Sequence, residues 1–197
     1  MQHRFRYLCY DAATLLDGCS KLSTFVRRVN KQSEEDHGMG WSPDEYKGFA
    51  FEAFVEVLVT SSPIDKRINI KNYRPAKSKV DGRDMGIDGY GESHNGNLHT
   101  VQAKFRSDCT ADLTTKDGIS NFVANTDSRH KCDPDYQKYA GVDMTVFTTA
   151  KDLNQIVKEE MYYGRVRVIG FNDLRKLVDG NDAFWDEFRR QMVKPAK

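Results

Sequence analysis

Four side chains in this sequence have types and spacing that suit one piece of chemistry: Glu52, Asp88, Gln102 and Lys104. Gln102 and Lys104 stand two apart in Val101-Gln102-Ala103-Lys104-Phe105. On an extended strand they share one face, and Val101, Ala103 and Phe105 take the other and go to the core. Asp88 lies in Gly86-Ile87-Asp88-Gly89, near the end of a preceding strand, and an antiparallel hairpin brings it beside Gln102 and Lys104. Carboxylates and an amide carbonyl are hard oxygen donors, the set that suits Mg²⁺ or Mn²⁺. A metal so held lowers the pKa of a bound water and polarises a phosphate. A lysine beside it can orient that water or stabilise charge in the transition state. The grouping therefore suits phosphodiester hydrolysis.

Those residues need elements to position them. Ser42-Pro43-Asp44-Glu45 reads as a helix start, with a capping serine, proline in the first turn and acids at the positive end of the dipole. The helix should run to about Thr60, with Phe51, Phe54, Val55 and Leu58 as its buried stripe and Glu52 interrupting the apolar run. Upstream, Leu22, Phe25, Val26 and Val29 predict a helix near 20–30, and 31–40 reads as a loop. Strands are expected over Arg67–Tyr73, Met85–Tyr90 and Leu98–Phe105, with a loop over Pro75–Gly82 and a turn-rich connector over Gly91–Asn97. Thr114–Asn125 is expected to be helical, Thr126–Gly141 a loop, Val142–Thr148 a strand, Ala150–Tyr162 a helix and Val166–Ile169 a strand. Helices over Asn172–Val178 and Asp182–Met192 close the chain. The order implies an α/β fold, a central mixed sheet with helices on both faces. Residues 1–40 are taken as an N-terminal helical extension and 41–197 as one compact domain.

Asp88 followed by Gln102-Ala103-Lys104 resembles the core motif of the PD-(D/E)XK nuclease superfamily, closest to its Mrr-type restriction-endonuclease branch, which often has Gln in the second position. Gly48-Phe49-Ala50-Phe51-Glu52 resembles that branch's helix motif, and Gly86-Ile87-Asp88-Gly89 its strand motif. The later run Met144–Ala150, then Val166–Ile169 and Asp173-Leu174, follows the same order, so the likeness covers roughly 42–180. It implies a restriction-endonuclease-like fold and a Mg²⁺-dependent endodeoxyribonuclease, with Mn²⁺ able to substitute. Asp88, Gln102, the Ala103 carbonyl and Glu52 would organise the metal, and Lys104 would act on the attacking water. The proline usual before the aspartate is absent, Ile87 standing there, and Gln for Glu removes one negative charge. The alternatives are a Holliday-junction resolvase and a catalytically silent DNA-binding subunit of a larger restriction or repair assembly. A homodimer, or a helicase or specificity partner in trans, is compatible with the likeness.

The chain of 197 residues carries a net charge of +1, so global charge gives no argument for nucleic acid. Local charge does: Lys66, Arg67, Lys71, Arg74, Lys77 and Lys79 run without an acid between Lys66 and Lys79. With Arg83 and Arg106 they form the expected DNA-backbone contacts, salt-sensitive and blind to base sequence. The four cysteines form no C-x-x-C, and reduced thiols in a cytoplasmic protein are expected. A zinc site from Cys109, His130 and Cys132, and a histidine-metal site from His94 and His99, are the competing metal readings. No apolar run reaches the roughly 18–20 residues of a membrane span. Trp41 and Tyr46 are expected to pack at the helix entrance rather than stack on DNA.

Overall fold

A computed structural model describes residues 8–35, 41–76, 86–114, 118–155 and 165–193. In chain order the described elements are a short 3₁₀ turn at Cys9–Asp11, α1 (Ala12–Leu16), α2 (Leu22–Gln32), α3 (Pro43–Thr60), α4 (Ile64–Ile68), β1 (Lys71–Pro75), β2 (Gly89–Glu92), β3 (Leu98–Lys104), α5 (Ile119–Cys132), α6 (Pro134–Gln137), β4 (Val142–Thr148), β5 (Val166–Ile169), α7 (Phe171–Val178) and α8 (Asp182–Val193). The strands form one five-stranded sheet in the order β1-β2-β3-β4-β5. The first three strands are antiparallel, and β3, β4 and β5 are parallel. This is an α/β protein with a mixed sheet flanked by helices.

The sheet divides two apolar clusters. On one face, Val101, Ala103, Phe105, Phe147 and Ile169 pack beneath α3, with Leu8, Leu15, Leu16, Leu22, Phe25, Val26 and Val29 in the same cluster. Residues of the N-terminal segment thus share the core of the sheet domain. The centre of this cluster is aromatic: Phe54 stacks on Phe25 at 5.4 Å and on Phe51 at 5.6 Å, and meets Phe184 edge-on at 5.2 Å. On the other face, Ile119, Phe122 and Val123 of α5 cover Met144 and Val146. Both faces are covered, so β3 is buried along almost its whole length and only Lys104 is partly open.

Helix α3 starts as its capping residues require. Ser42 Oγ accepts from Glu45 N at 3.3 Å, Ser42 N donates to Glu45 Oε2 at 2.9 Å, and Pro43 opens the helix. Ala50, Phe51, Ala53, Phe54, Val55, Val57, Leu58 and Val59 are all buried, more than the single stripe expected from the sequence. The helix is a central one, apolar nearly all round, and Glu52 and Glu56 stay on its partly open line.

Several elements differ from the sequence reading. Arg67–Tyr73 is not one strand. Ile64 and Ile68, four apart, are buried together by one turn of helix, and Asn69 at φ 69° stops it in the left-handed region. The strand begins at Lys71. β2 begins at Gly89 rather than Met85, because Gly86 at φ 62° turns the chain first. Residues 77–85, including most of the expected loop over Pro75–Gly82, lie outside the described residues. Helix α5 starts at Ile119, after left-handed Gly118, and continues into the expected loop as far as Cys132. Its polar second half is a solvated face, except that Thr126 is fully buried and its Oγ1 lies 3.2 Å from Thr100 Oγ1. The four-residue α6 follows, capped by Asp133. Residues 150–154 are not helical. Leu153 bridges Leu113, and Lys151 N donates to Ala111 O at 2.9 Å. The rest of that expected helix, 156–162, lies outside the described residues. β4 and β5 have the expected bounds, and no helix among the described residues is long and apolar enough to cross a membrane.

Candidate metal centre

A cleft of about 350 Å³ opens at the C-terminal end of β3. It is lined by Asp44, Lys47, Gly48 and Glu52 from α3, by Gly86 and Asp88 from the chain entering β2, and by Gln102 through Ser107. The four residues read from the sequence as catalytic therefore meet in one place. They reach it from both layers, because β2 ends its pairing with β3 at Gly89 and Val101 and leaves the last residues of β3 open on that side.

Asp88 sits where the ladder runs out. Its N–H donates to Val101 O at 2.9 Å, the last bond of a strand-like pairing. One residue pair further, its side chain replaces the missing backbone, and Oδ2 accepts from Ala103 N at 2.6 Å. The carboxylate is thus aimed by β3 itself. In an extended strand a residue's N–H and C=O point to the same side, so the Ala103 carbonyl is also directed toward the cleft.

Gln102 is the least expected member. It is only 1% exposed, and its Oε1 is a buried oxygen with no hydrogen-bond partner among the described residues. A buried carbonyl oxygen without a partner costs about 1–3 kcal/mol. The side chain is held between the sheet and the start of α5. A Cβ placed on Gly86 would come within 3.0 Å of Gln102 Nε2 and 3.7 Å of Phe122 N. Gly86 is therefore needed twice, for its left-handed φ and for the space above Gln102.

Lys104, on the same strand face as Gln102, is half-buried, and its Nζ lies near Gly118 at the start of α5. Arg106 is fixed by Thr149, whose Oγ1 accepts from Arg106 N at 2.6 Å and donates to Arg106 O at 2.7 Å. Its Nη1 donates to Phe105 O at 2.7 Å. Burial disfavours the Arg106 charge, and the neighbouring Asp44 carboxylate partly offsets this. Gly48 precedes Glu52 by one helical turn, and a Cβ there would meet nothing within 4 Å, so this glycine leaves the mouth of the cleft open.

Lys47 and Asp44 were missed in the sequence. Lys47 lines the cleft with a side chain only 15% exposed, and its Nζ lies 3.9 Å from Glu34 Oε1. The available signal was helical spacing: Asp44, Lys47 or Gly48, and Glu52 recur at three to four residues along the first turns of α3. The lining balances three carboxylates, Asp44, Glu52 and Asp88, against three cations, Lys47, Lys104 and Arg106.

The remaining basic residues that are described do not gather at the cleft. Lys66 and Arg67 are exposed on α4, whose end is tied to the start of β3: Asn69 O lies 2.9 Å from His99 Nδ1. His99 and Lys104 are five residues apart on β3, about 17 Å. Lys71 pairs with Glu92 at 2.9 Å, and Arg74 lies on a separate groove beside Tyr90. Lys77, Lys79 and Arg83 lie outside the described residues.

The competing metal readings find no support in the geometry. Among the described residues no group of three His, Cys, Asp or Glu side chains could hold a metal ion, and Cys109, His130 and Cys132 do not form one. His94 is an exposed turn residue. His99 is buried between Asn69 O and Thr145 Oγ1, the latter 2.8 Å from Nε2. Burial holds its pKa below the usual value. Tyr46 is 1% exposed and donates to Asp11 Oδ2 at 3.0 Å, and Trp41 packs on Phe49 at 5.0 Å, so both are packing residues.

The donor set of the cleft suits a hard divalent cation only if the amide and the peptide carbonyl join the two carboxylates. Gln102 Oε1, buried and without a hydrogen-bond partner among the described residues, is one candidate donor. Comparison of the chain with protein-family models, with curated proteins and with solved structures finds no match in any of the three.

Proposed function

We propose that this protein is a metal-dependent nuclease with a restriction-endonuclease-like fold, hydrolysing phosphodiester bonds of DNA at the cleft on β3. The observation that carries the reading is Gln102 Oε1. It is a hard donor, buried at a cost and without a partner, in the cleft that also holds Asp88, Glu52 and Lys104. A cation there would remove that cost.

In this reading Asp88, Gln102 Oε1, the Ala103 carbonyl and Glu52 hold Mg²⁺ or Mn²⁺. The ion, when bound, supplies Lewis-acid polarisation of the phosphate and a water of lowered pKa. The rest is work for side chains. The bond from Ala103 N keeps the Asp88 carboxylate in one orientation, so little is reorganised during the reaction. Lys104 brings a positive charge to the face that carries Gln102, where it stabilises the extra negative charge of a five-coordinate phosphorus. Lys47 and Arg106 also line the cleft and bind phosphate oxygens, Arg106 through a guanidinium already held by the Phe105 carbonyl.

The test is cleavage of supercoiled plasmid with Mg²⁺ or Mn²⁺, comparing wild type with Lys104→Ala and Asp88→Asn. Nicking or linearisation is expected from wild type alone, and EDTA should abolish it. Equal cutting by all three proteins would refute this site. No cutting on plasmid, single-stranded or branched DNA would favour a silent DNA-binding subunit.

A further inference from the structure

A second groove, of about 360 Å³, runs over the β1–β2 ribbon beside α6, and tyrosines and cations alternate along it. Tyr90 and Tyr139 line it with Arg74 and Lys138, and Tyr73 borders it with its ring packed on the main core cluster. It starts next to the catalytic cleft. Tyr90, in β2, is two residues beyond Asp88, about 7 Å further along the extended chain. The Tyr73 phenol lies across Gly89, so closely that a Cβ on Gly89 would fall 2.1 Å from its oxygen.

The rings are held in place yet reachable. Tyr90 meets Tyr136 edge-on at 5.2 Å, and Tyr136 is in turn fixed by Arg129, whose Nη1 donates to its hydroxyl at 3.1 Å. Tyr90 and Tyr139 are each only partly buried. Arg74 is exposed and is the cross-strand partner of Tyr90, and Lys138 Nζ lies 5.3 Å from the Tyr139 ring. Of the two carboxylates on the groove, Glu92 is paired with Lys71, which leaves Asp135 against Arg74 and Lys138.

Pre-set aromatic faces interleaved with cations match a strand whose bases are unstacked: each ring takes a base and each cation a phosphate. A duplex keeps its bases paired and offers such a groove only its backbone. We infer that this groove binds the unpaired nucleotides that follow the bond lying in the cleft, so that the substrate class is single-stranded or branched nucleic acid rather than plain duplex. The position of the bond rests on the nuclease reading; the binding itself does not.

The experiment is fluorescence anisotropy in EDTA, where no cleavage occurs. Labelled oligothymidylate, oligouridylate and a blunt duplex are titrated with wild type and with the double variant Tyr139→Leu/Arg74→Gln, after melting curves show both are folded. Wild type should bind one or both single strands more tightly than duplex, and the two single-strand arms tell DNA from RNA. The variant should lose about fivefold or more on the preferred strand and little on duplex. Single-strand binding unchanged in the variant, or duplex bound more tightly than either strand, overturns the inference. Mg²⁺-dependent cleavage of labelled single-stranded and branched DNA separates the two ideas. Cutting with unaltered variant binding leaves the nuclease and removes the groove; variant-sensitive binding without cutting does the reverse.

Discussion

Gln102→Met should make the metal-free protein more stable and the metal-loaded protein no better. Methionine keeps the unbranched length of glutamine and takes away the buried oxygen. Gln102 is 1% exposed and its Oε1 has no partner, so the apo protein carries the desolvation penalty of that group, about 1–3 kcal/mol. For a chain of this size 1 kcal/mol corresponds to roughly 2–4 °C in Tm. The variant should therefore melt roughly 2–12 °C higher than wild type in EDTA. Mg²⁺ or Mn²⁺ should then raise wild type, by about 2.7 kcal/mol at a hundred times the dissociation constant, and leave the variant nearly where it was. Differential scanning fluorimetry with and without metal measures both effects, and plasmid cleavage should be lost in the variant. A lower Tm for the variant in EDTA would show that the oxygen has a partner in solution. An equal metal response in both proteins would place the ion elsewhere.

Three further outcomes follow from the same geometry. Gly86→Ala places a Cβ at φ 62° and 3.0 Å from Gln102 Nε2, so it should cost about 1–2 kcal/mol and blunt the metal-dependent rise in Tm. Tyr46→Phe removes the donor to Asp11 Oδ2 that ties the N-terminal segment to α3; Asp11 remains partly open to water, so urea unfolding should show a loss of about 1 kcal/mol. His99 is held neutral by burial, its pKa below the usual value. As pH falls below about 6.5 the unfolded chain takes up a proton that the fold refuses, so stability drops with acidification. Tm measured from pH 7.5 to 5.5 should fall less steeply for His99→Gln than for wild type, and parallel curves would contradict the buried neutral imidazole.

Legibility followed the range of the interactions. The start of α3 was readable because the capping box and Pro43 act within four residues. β4 was readable because a short apolar run between turn signals has few other uses. The expected strand Arg67–Tyr73 failed because Ile68 satisfies both a two-residue and a four-residue period, and only contact with α3 chose the helix. The second half of α5 reads as a loop in sequence because its one inward residue, Thr126, is polar and finds its partner, Thr100, in the sheet beneath it.

The candidate site shows the same division. The donor types were legible in sequence: acids, an amide two residues from a lysine, and a glycine before each acidic element. Alternation along β3 put Gln102 and Lys104 on one face and Val101, Ala103 and Phe105 in the core. What tertiary structure decided was the meeting. Glu52 comes from the opposite layer of the sheet, and it shares a cleft with Asp88 where β2 stops pairing with β3 at Gly89. Lys47 joined, and Lys66 and Arg67 were carried to the far end of β3, by the same packing. Sequence period sets the face a residue takes within its own element; where two elements touch depends on buried area summed over the whole core, which no local pattern records.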